Sequence, residues 1–255
     1  MDYIRTESKD GILRVEIDRP EKKNALTAPM YQALADAIKA GEADSGVRVL
    51  LIHGTADLFT AGNDLQEFLR NPPRDESAPV FQFLYAISQA QKPIVAAVAG
   101  AAVGIGTTML LHCDLVYAAP NARLQLPFVN LGLLPEAASS LLLPALAGYQ
   151  RAAELLLLGE PFSAQQGEEI GLVTEVVAAD RLLETAMAQA RKLAQKPAAS
   201  LRLTKQLMKR GQMAAVEERI RLEASYFGER LDSPEAKEAF SAFLEKRTPD
   251  FSRLS

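Results

Sequence analysis

From residue 93 to 111 the chain runs nineteen residues without a charge, PIVAAVAGAAVGIGTTMLL, close to the length of a bilayer span. Its make-up argues against one. Ala, Gly and Thr fill much of it, Pro93 opens it, and GAAVGIG lies in its middle, which suits a buried strand, a tight turn and a helix. Residues 47–52, VRVLLI, form a second near-continuous apolar run of strand length. Strands of this kind are covered on both faces, as in a layered α/β fold.

The surrounding pattern agrees. Runs 3–6 and 12–17 flank Asp10-Gly11, a hairpin signal. Thr27 is placed to cap a helix whose Met30, Leu34 and Ile38 repeat every four residues. A break at 72–75 precedes a second apolar stripe of Val80, Phe81, Leu84 and Ile87. Residues 94–98, 113–118, 123–125 and 172–177 read as further strands, and Ser163-Ala-Gln-Gln166 as a capping box. From about Asp180 the periodicity becomes helical, and Ser233-Pro234-Glu235 starts one of those helices. The expected organisation is an α/β body over residues 1–180 with a helical region over 181–255.

The 255 residues carry a net charge of −4, which disfavours nucleic acid and anionic membrane surfaces as partners. The lone Cys113 excludes an intramolecular disulfide and fits a reducing compartment, with the cytoplasm the expectation. The first residues are acidic rather than apolar, so no leader is expected. The tail reads SRLS, whose last three residues do not form a peroxisomal address. His53 and His112 have no carboxylate or thiol at ligand spacing; both read as structural, and no metal is expected.

Gly104-Ile105-Gly106 follows a strand, but Met109 stands where a dinucleotide fingerprint needs its third glycine. What remains is a turn whose backbone can approach a ligand, followed by the free amides of a helix start, which favour an anion. Residues 59–65, FTAGNDL, form a second such turn. Asp64 and Asp114 read as loop-bracing acids. Most carboxylates lie in polar runs, whereas Glu136 sits in LGLLPEAASSLLL among apolar and small neighbours. That setting suits either an acid whose pKa is raised by burial or a first-turn acid complementing a helix dipole. No G-x-S-x-G elbow is present.

Several ordered blocks, RPEKKNAL at 19–26, FTAGNDL at 59–65, AVAGAAVGIGTTMLLHCDLVYA at 97–118, LPFVNLGLLPEAASS at 126–140, FSAQQGEEIGLVTEVV at 162–177 and FLEKRTPDF at 243–251, resemble the crotonase (enoyl-CoA hydratase/isomerase) superfamily. The resemblance implies a spiral of ββα units with a helical C-terminal trimerisation region, assembled as a homotrimer or dimer of trimers. It implies an acyl-CoA thioester substrate, with coenzyme A part of that substrate and no separate cofactor. The oxyanion hole would be the amides of Asn63, after Ala61-Gly62, and Ile105, after Gly104. Coenzyme A would lie along Lys23, Ala25 and Leu26 and along Ala61, Gly62, Asp64 and Leu65, with Lys246 near its nucleotide end. Phe128 would help to set pocket depth.

Hydratases of this superfamily hold water between two glutamates, and the corresponding positions here are Thr108 and Phe128. Ile105 in place of a glycine, GND at 62–64 and LLPEAASS resemble instead the peroxisomal-type Δ3,Δ2-enoyl-CoA isomerases, whose single catalytic glutamate corresponds to Glu136. One carboxylate suffices for that reaction, because a proton leaves C2 and returns to C4 on one face while the charge collects on the thioester oxygen.

Overall fold

The computed structural model describes residues 3–55, 57–73, 75–252 and 254. Arg74 of the 72–75 break, the first two residues, and Arg253 and Ser255 of the tail lie outside them. The chain opens with β1 (Ile4–Lys9) and β2 (Ile12–Ile17), joined through Asp10 and Gly11 at φ 54° and 77°. Two positive values in a two-residue loop match the right-handed twist of a hairpin. Then come α1 (Ala28–Ala43), β3 (Val49–His53), α2 (Leu65–Arg70), α3 (Pro79–Gln89), β4 (Ile94–Val98), β5 (Ala101–Val103) and α4 (Ile105–Thr108). β6 (Leu115–Ala118), β7 (Arg123–Gln125), α5 (Ser139–Ala147), α6 (Tyr149–Ala153), β8 (Phe162–Ser163), α7 (Ala164–Glu169) and β9 (Glu175–Val176) follow. The chain continues through α8 (Leu182–Ala194), α9 (Ala198–Lys209), α10 (Met213–Leu231) and α11 (Pro234–Glu245).

Two sheets result. The larger has the order β1-β2-β3-β4-β6-β9, parallel except for the opening hairpin; the smaller has the order β5-β7-β8. Alternation along the central strands divides the core. Leu50, Ile52, Ile94 and Ala96 face the main cluster with α1 and α3, whereas Val49, Leu51, Val95 and Ala97 face Leu182, Ala186 and Ala190 of α8. The side-chain period of two thus buries both faces, which is why these strands are continuously apolar. The uncharged run 93–111 becomes β4, β5, α4 and a 3₁₀ turn, and among the described residues no helix is long and apolar enough to cross a membrane.

One cap and the setting of Glu136 differ from the sequence reading. Ser163 forms the expected capping box and Ser233 caps α11, but Thr27 makes no side-chain cap bond. The Ala28 amide instead donates to the Glu67 carboxylate from α2, at 3.3 Å. Glu136 is not in a first turn either: α5 begins at Ser139, after a left-handed Ala138, and its first turn holds no acid. The dipole-complementing alternative for Glu136 therefore has no geometric basis.

Candidate active site

The site is built on two loops that run side by side. Thr60 pairs with Ala102 in a parallel bridge, its amide donating to Ala101 O at 2.8 Å and its carbonyl accepting from Val103 N at 3.1 Å. Three residues beyond that pair stand Asn63 on one strand and Ile105 on the other. Neither amide donates to any acceptor among the described residues. The approach requires small residues. Gly62, at φ 86°, would place a Cβ 2.7 Å from Val103 O, and Gly106 would place one 2.7 Å from the Thr60 methyl.

A third strip of backbone joins them. Ala61 N donates to Lys23 O at 3.0 Å, Leu26 N to Gly62 O at 2.7 Å and Asp64 N to Leu26 O at 2.9 Å. Asn24, fully buried, anchors this strip by donating to Ile17 O and Phe59 O, both at 3.0 Å, while its own carbonyl accepts from the Thr60 hydroxyl. The structure thus brings Lys23 and Leu26 against Ala61, Gly62 and Asp64, Arg19 joins Ala25 O to Asp64, and Leu65 opens α2. Asp64 caps α2 through Glu67 N and binds Arg19 at 2.9 Å, the bracing role expected of it. Asp114 likewise braces, accepting from Ile94 N and Lys205. Lys246, the left-handed cap of α11, is exposed, and no hydrogen bond or ion pair among the described residues joins it to these loops.

The carboxylate reaches the same place through α4. Ile105 opens that helix, and Thr108, one turn on and fully buried, donates to Glu136 Oε1 at 2.5 Å. Glu136 keeps some accessible surface, yet protein atoms closely surround its carboxyl group. Burial pushes its pKa up to about 8; the Thr108 hydroxyl opposes this and the charge of Glu223 adds to it. Such a group holds and releases a proton near neutral pH. Tyr31, from α1, donates to the Asn63 side chain at 2.5 Å, and burial together with the Glu136 charge holds its own pKa well above normal. The Phe128 ring packs against Gly104.

His112 Nε2 lies 2.8 Å from Ala137 O and His53 Nδ1 2.5 Å from Gly54 O. A cavity of about 470 Å³ lined by Leu111, His112, Lys209 and Met213 contains none of the residues assigned to the site. Two contributors escaped the sequence reading, Tyr31 and Glu223. The second carried a signal: Val216, Ile220, Glu223 and Phe227 fall on one helical stripe, three of them packed on the core, so the acid stands where an apolar residue belongs.

Two backbone donors and one protonatable carboxylate beside them are what acid–base chemistry next to a carbonyl requires. Residues 7–253 match the family model of enoyl-CoA hydratase/isomerase. The chain is 35% identical over 260 residues to the 1,2-epoxyphenylacetyl-CoA isomerase of Escherichia coli K12, covering 98% of each. It is 37% identical over 234 residues to a probable enoyl-CoA hydratase of Bacillus subtilis 168, covering 89% of this chain and 90% of the relative. It superposes on Pseudomonas aeruginosa OdaA with a TM-score of 0.94 at 46% identity, covering 96% of this chain and 99% of that one. The chain belongs to the enoyl-CoA hydratase/isomerase family and has the crotonase fold.

Proposed function

We infer that the protein moves the double bond of a 3-enoyl-CoA to the trans-2 position, with Glu136 as the single proton carrier. The observation that carries this reading is one buried carboxylate hydrogen-bonded to Thr108, with Thr108 and Phe128 in place of the two acids that hydration needs. Glu136 takes the proton from C2, the C2–H electron pair moves into the C1–C2 bond and the carbonyl pair moves onto the thioester oxygen, giving the dienolate. The Asn63 and Ile105 amides bind that oxygen, a donor of this kind being worth about 3–4 kcal/mol in the transition state. The same carboxyl group then returns the proton to C4. Lys23, Ala25, Leu26, Ala61, Gly62, Asp64 and Leu65 cradle the coenzyme A portion, with Lys246 at its nucleotide end, and Phe128 lines the acyl side and excludes water.

The reading extends to a cytoplasmic homotrimer or dimer of trimers serving fatty-acid β-oxidation. Exposed Leu203, Leu207 and Met208 on α9 and Phe243 on α11 support assembly, since such apolar surface favours a partner. The hydratase-named relative makes hydration the alternative. Ultraviolet absorbance of the conjugated thioester separates the two. 3-Hexenoyl-CoA should gain absorbance and 2-hexenoyl-CoA should hold steady, whereas a fall with the second substrate would establish hydration. Glu136→Gln should abolish turnover yet bind acyl-CoA in calorimetry, because the amides remain; unchanged turnover would remove Glu136 from the mechanism.

A further inference from the structure

Ala137 and Ala138 both lie in the left-handed region, at φ 60° and 57°, directly after Glu136. This conformation crowds the Cβ of an L-residue against the next carbonyl, and neither position is a glycine. The turn persists because its neighbours hold it. His112 is one holder. Burial, chiefly, and then the Lys209 charge push its pKa down to about 4, so the ring is neutral near neutral pH and donates from Nε2 to Ala137 O.

Glu223 is the other. It lies on α10, only 5% exposed, and its carboxylate accepts from Ala138 N at 2.6 Å, Ser140 N at 3.0 Å and the Ser140 hydroxyl at 2.6 Å. Ser140 Oγ in turn accepts from Arg219 at 3.0 Å. We propose that Glu223 is a positioning residue for Glu136, its carboxylate fixing the two-alanine turn that follows Glu136 and so holding the Glu136 carboxyl group on Thr108. The proposal rests on reading Glu136 as the base. No hydrogen bond joins Glu223 to Glu136; it acts through backbone and field.

The groups facing the pair come from several elements. Arg219 on α10 faces Glu223; Thr108 on α4, Glu223 and Tyr31 on α1 face Glu136; Lys209 and Lys205 on α9 bear on His112. Among these, Glu223 alone raises the Glu136 pKa by charge. Glu223→Gln removes that charge and sets an amide N–H2 against backbone donors, so it should loosen the turn and let Glu136 ionise at lower pH.

Two readouts test this on the full-length protein. One is ¹³C NMR titration of the Glu136 carboxyl, assigned by its loss in Glu136→Gln; the other is kcat against pH with 3-hexenoyl-CoA. In Glu223→Gln the titration should move to lower pH and plateau kcat should fall on the order of 10–100-fold, with KM little changed. Adding Ala138→Gly should restore much of kcat, because glycine takes positive φ freely, while the titration stays low. An unmoved titration in folded Glu223→Gln overturns the proposal, whether or not kcat falls. If that variant does not fold, Ser140→Ala keeps the Glu223 charge and removes one clamp bond; unchanged plateau kcat there also overturns it. Wild-type protein inert toward 3-hexenoyl-CoA would remove the isomerase reading, while the titration would still decide whether Glu223 governs Glu136.

Discussion

Thr108→Val removes the one hydroxyl that, among the described residues, donates to the Glu136 carboxylate and leaves the carbon skeleton in place. The bond favours the ionised carboxylate and opposes the upward push of burial. A hydrogen bond to a charged group contributes about 1.5–3 kcal/mol, and about 1.4 kcal/mol corresponds to one pKa unit. Glu136, at about 8 in the native protein, should therefore move up by roughly 1–2 units. Only the ionised form takes the C2 proton. The rate rises with pH until it passes the Glu136 pKa, so the acidic limb of kcat should shift to higher pH by that amount. At pH 7 the variant should be about 10–100-fold slower, and the two profiles should converge at high pH. The assay is the initial rate of conjugated-thioester absorbance between pH 6 and 10, with circular dichroism to verify folding and Thr108→Ser as the variant that keeps the hydroxyl. Superimposable acidic limbs would refute the reasoning. A loss equal at every pH would show that Thr108 orients the base without setting its ionisation.

Two further outcomes concern the frame around the site. Lys205, 4% exposed, binds Asp114 at 2.6 Å and Lys92 O at 2.8 Å, so Lys205→Ala leaves a partly buried carboxylate unpaired and should cost about 3–5 kcal/mol in urea unfolding; a change below about 1 kcal/mol would show that water replaces the ammonium. Gly62→Ala meets Val103 O and a positive φ together, so it should destabilise by at least about 1 kcal/mol and lower kcat/KM, and an unchanged unfolding midpoint would contradict the close packing of the two loops.

Much of the fold was legible because its strands have strong patterns. Ile94–Val98, apolar and buried throughout, and Arg123–Gln125, whose Leu124 alone is buried, match their observed limits. The run at 172–177 shrank to Glu175–Val176, since an apolar stretch that opens in bends at 172–174 looks the same in sequence as one that pairs throughout. Thr27 was misread because a threonine before a helix gives no sign that an acid from α2, Glu67, supplies the bond. At the site, Glu136 stood out by its neighbours, but its place outside α5 depends on two left-handed alanines, residues with no marked preference for that region. The clamp on those alanines comes from α10, far along the chain, and only the polar interruption of an apolar stripe pointed to it.

The pairing of Thr60 with Ala102 has a consequence for how this chain can change over generations. The loops that carry the two amides are joined by backbone hydrogen bonds, Thr60 N to Ala101 O and Val103 N to Thr60 O, and not by any side chain. The side chains at 63 and 105 can thus change without altering that backbone pairing. Inserting or deleting one residue in either loop is another matter, since it would slip one donor past the other. The lineage can rewrite the letters here but cannot change the count.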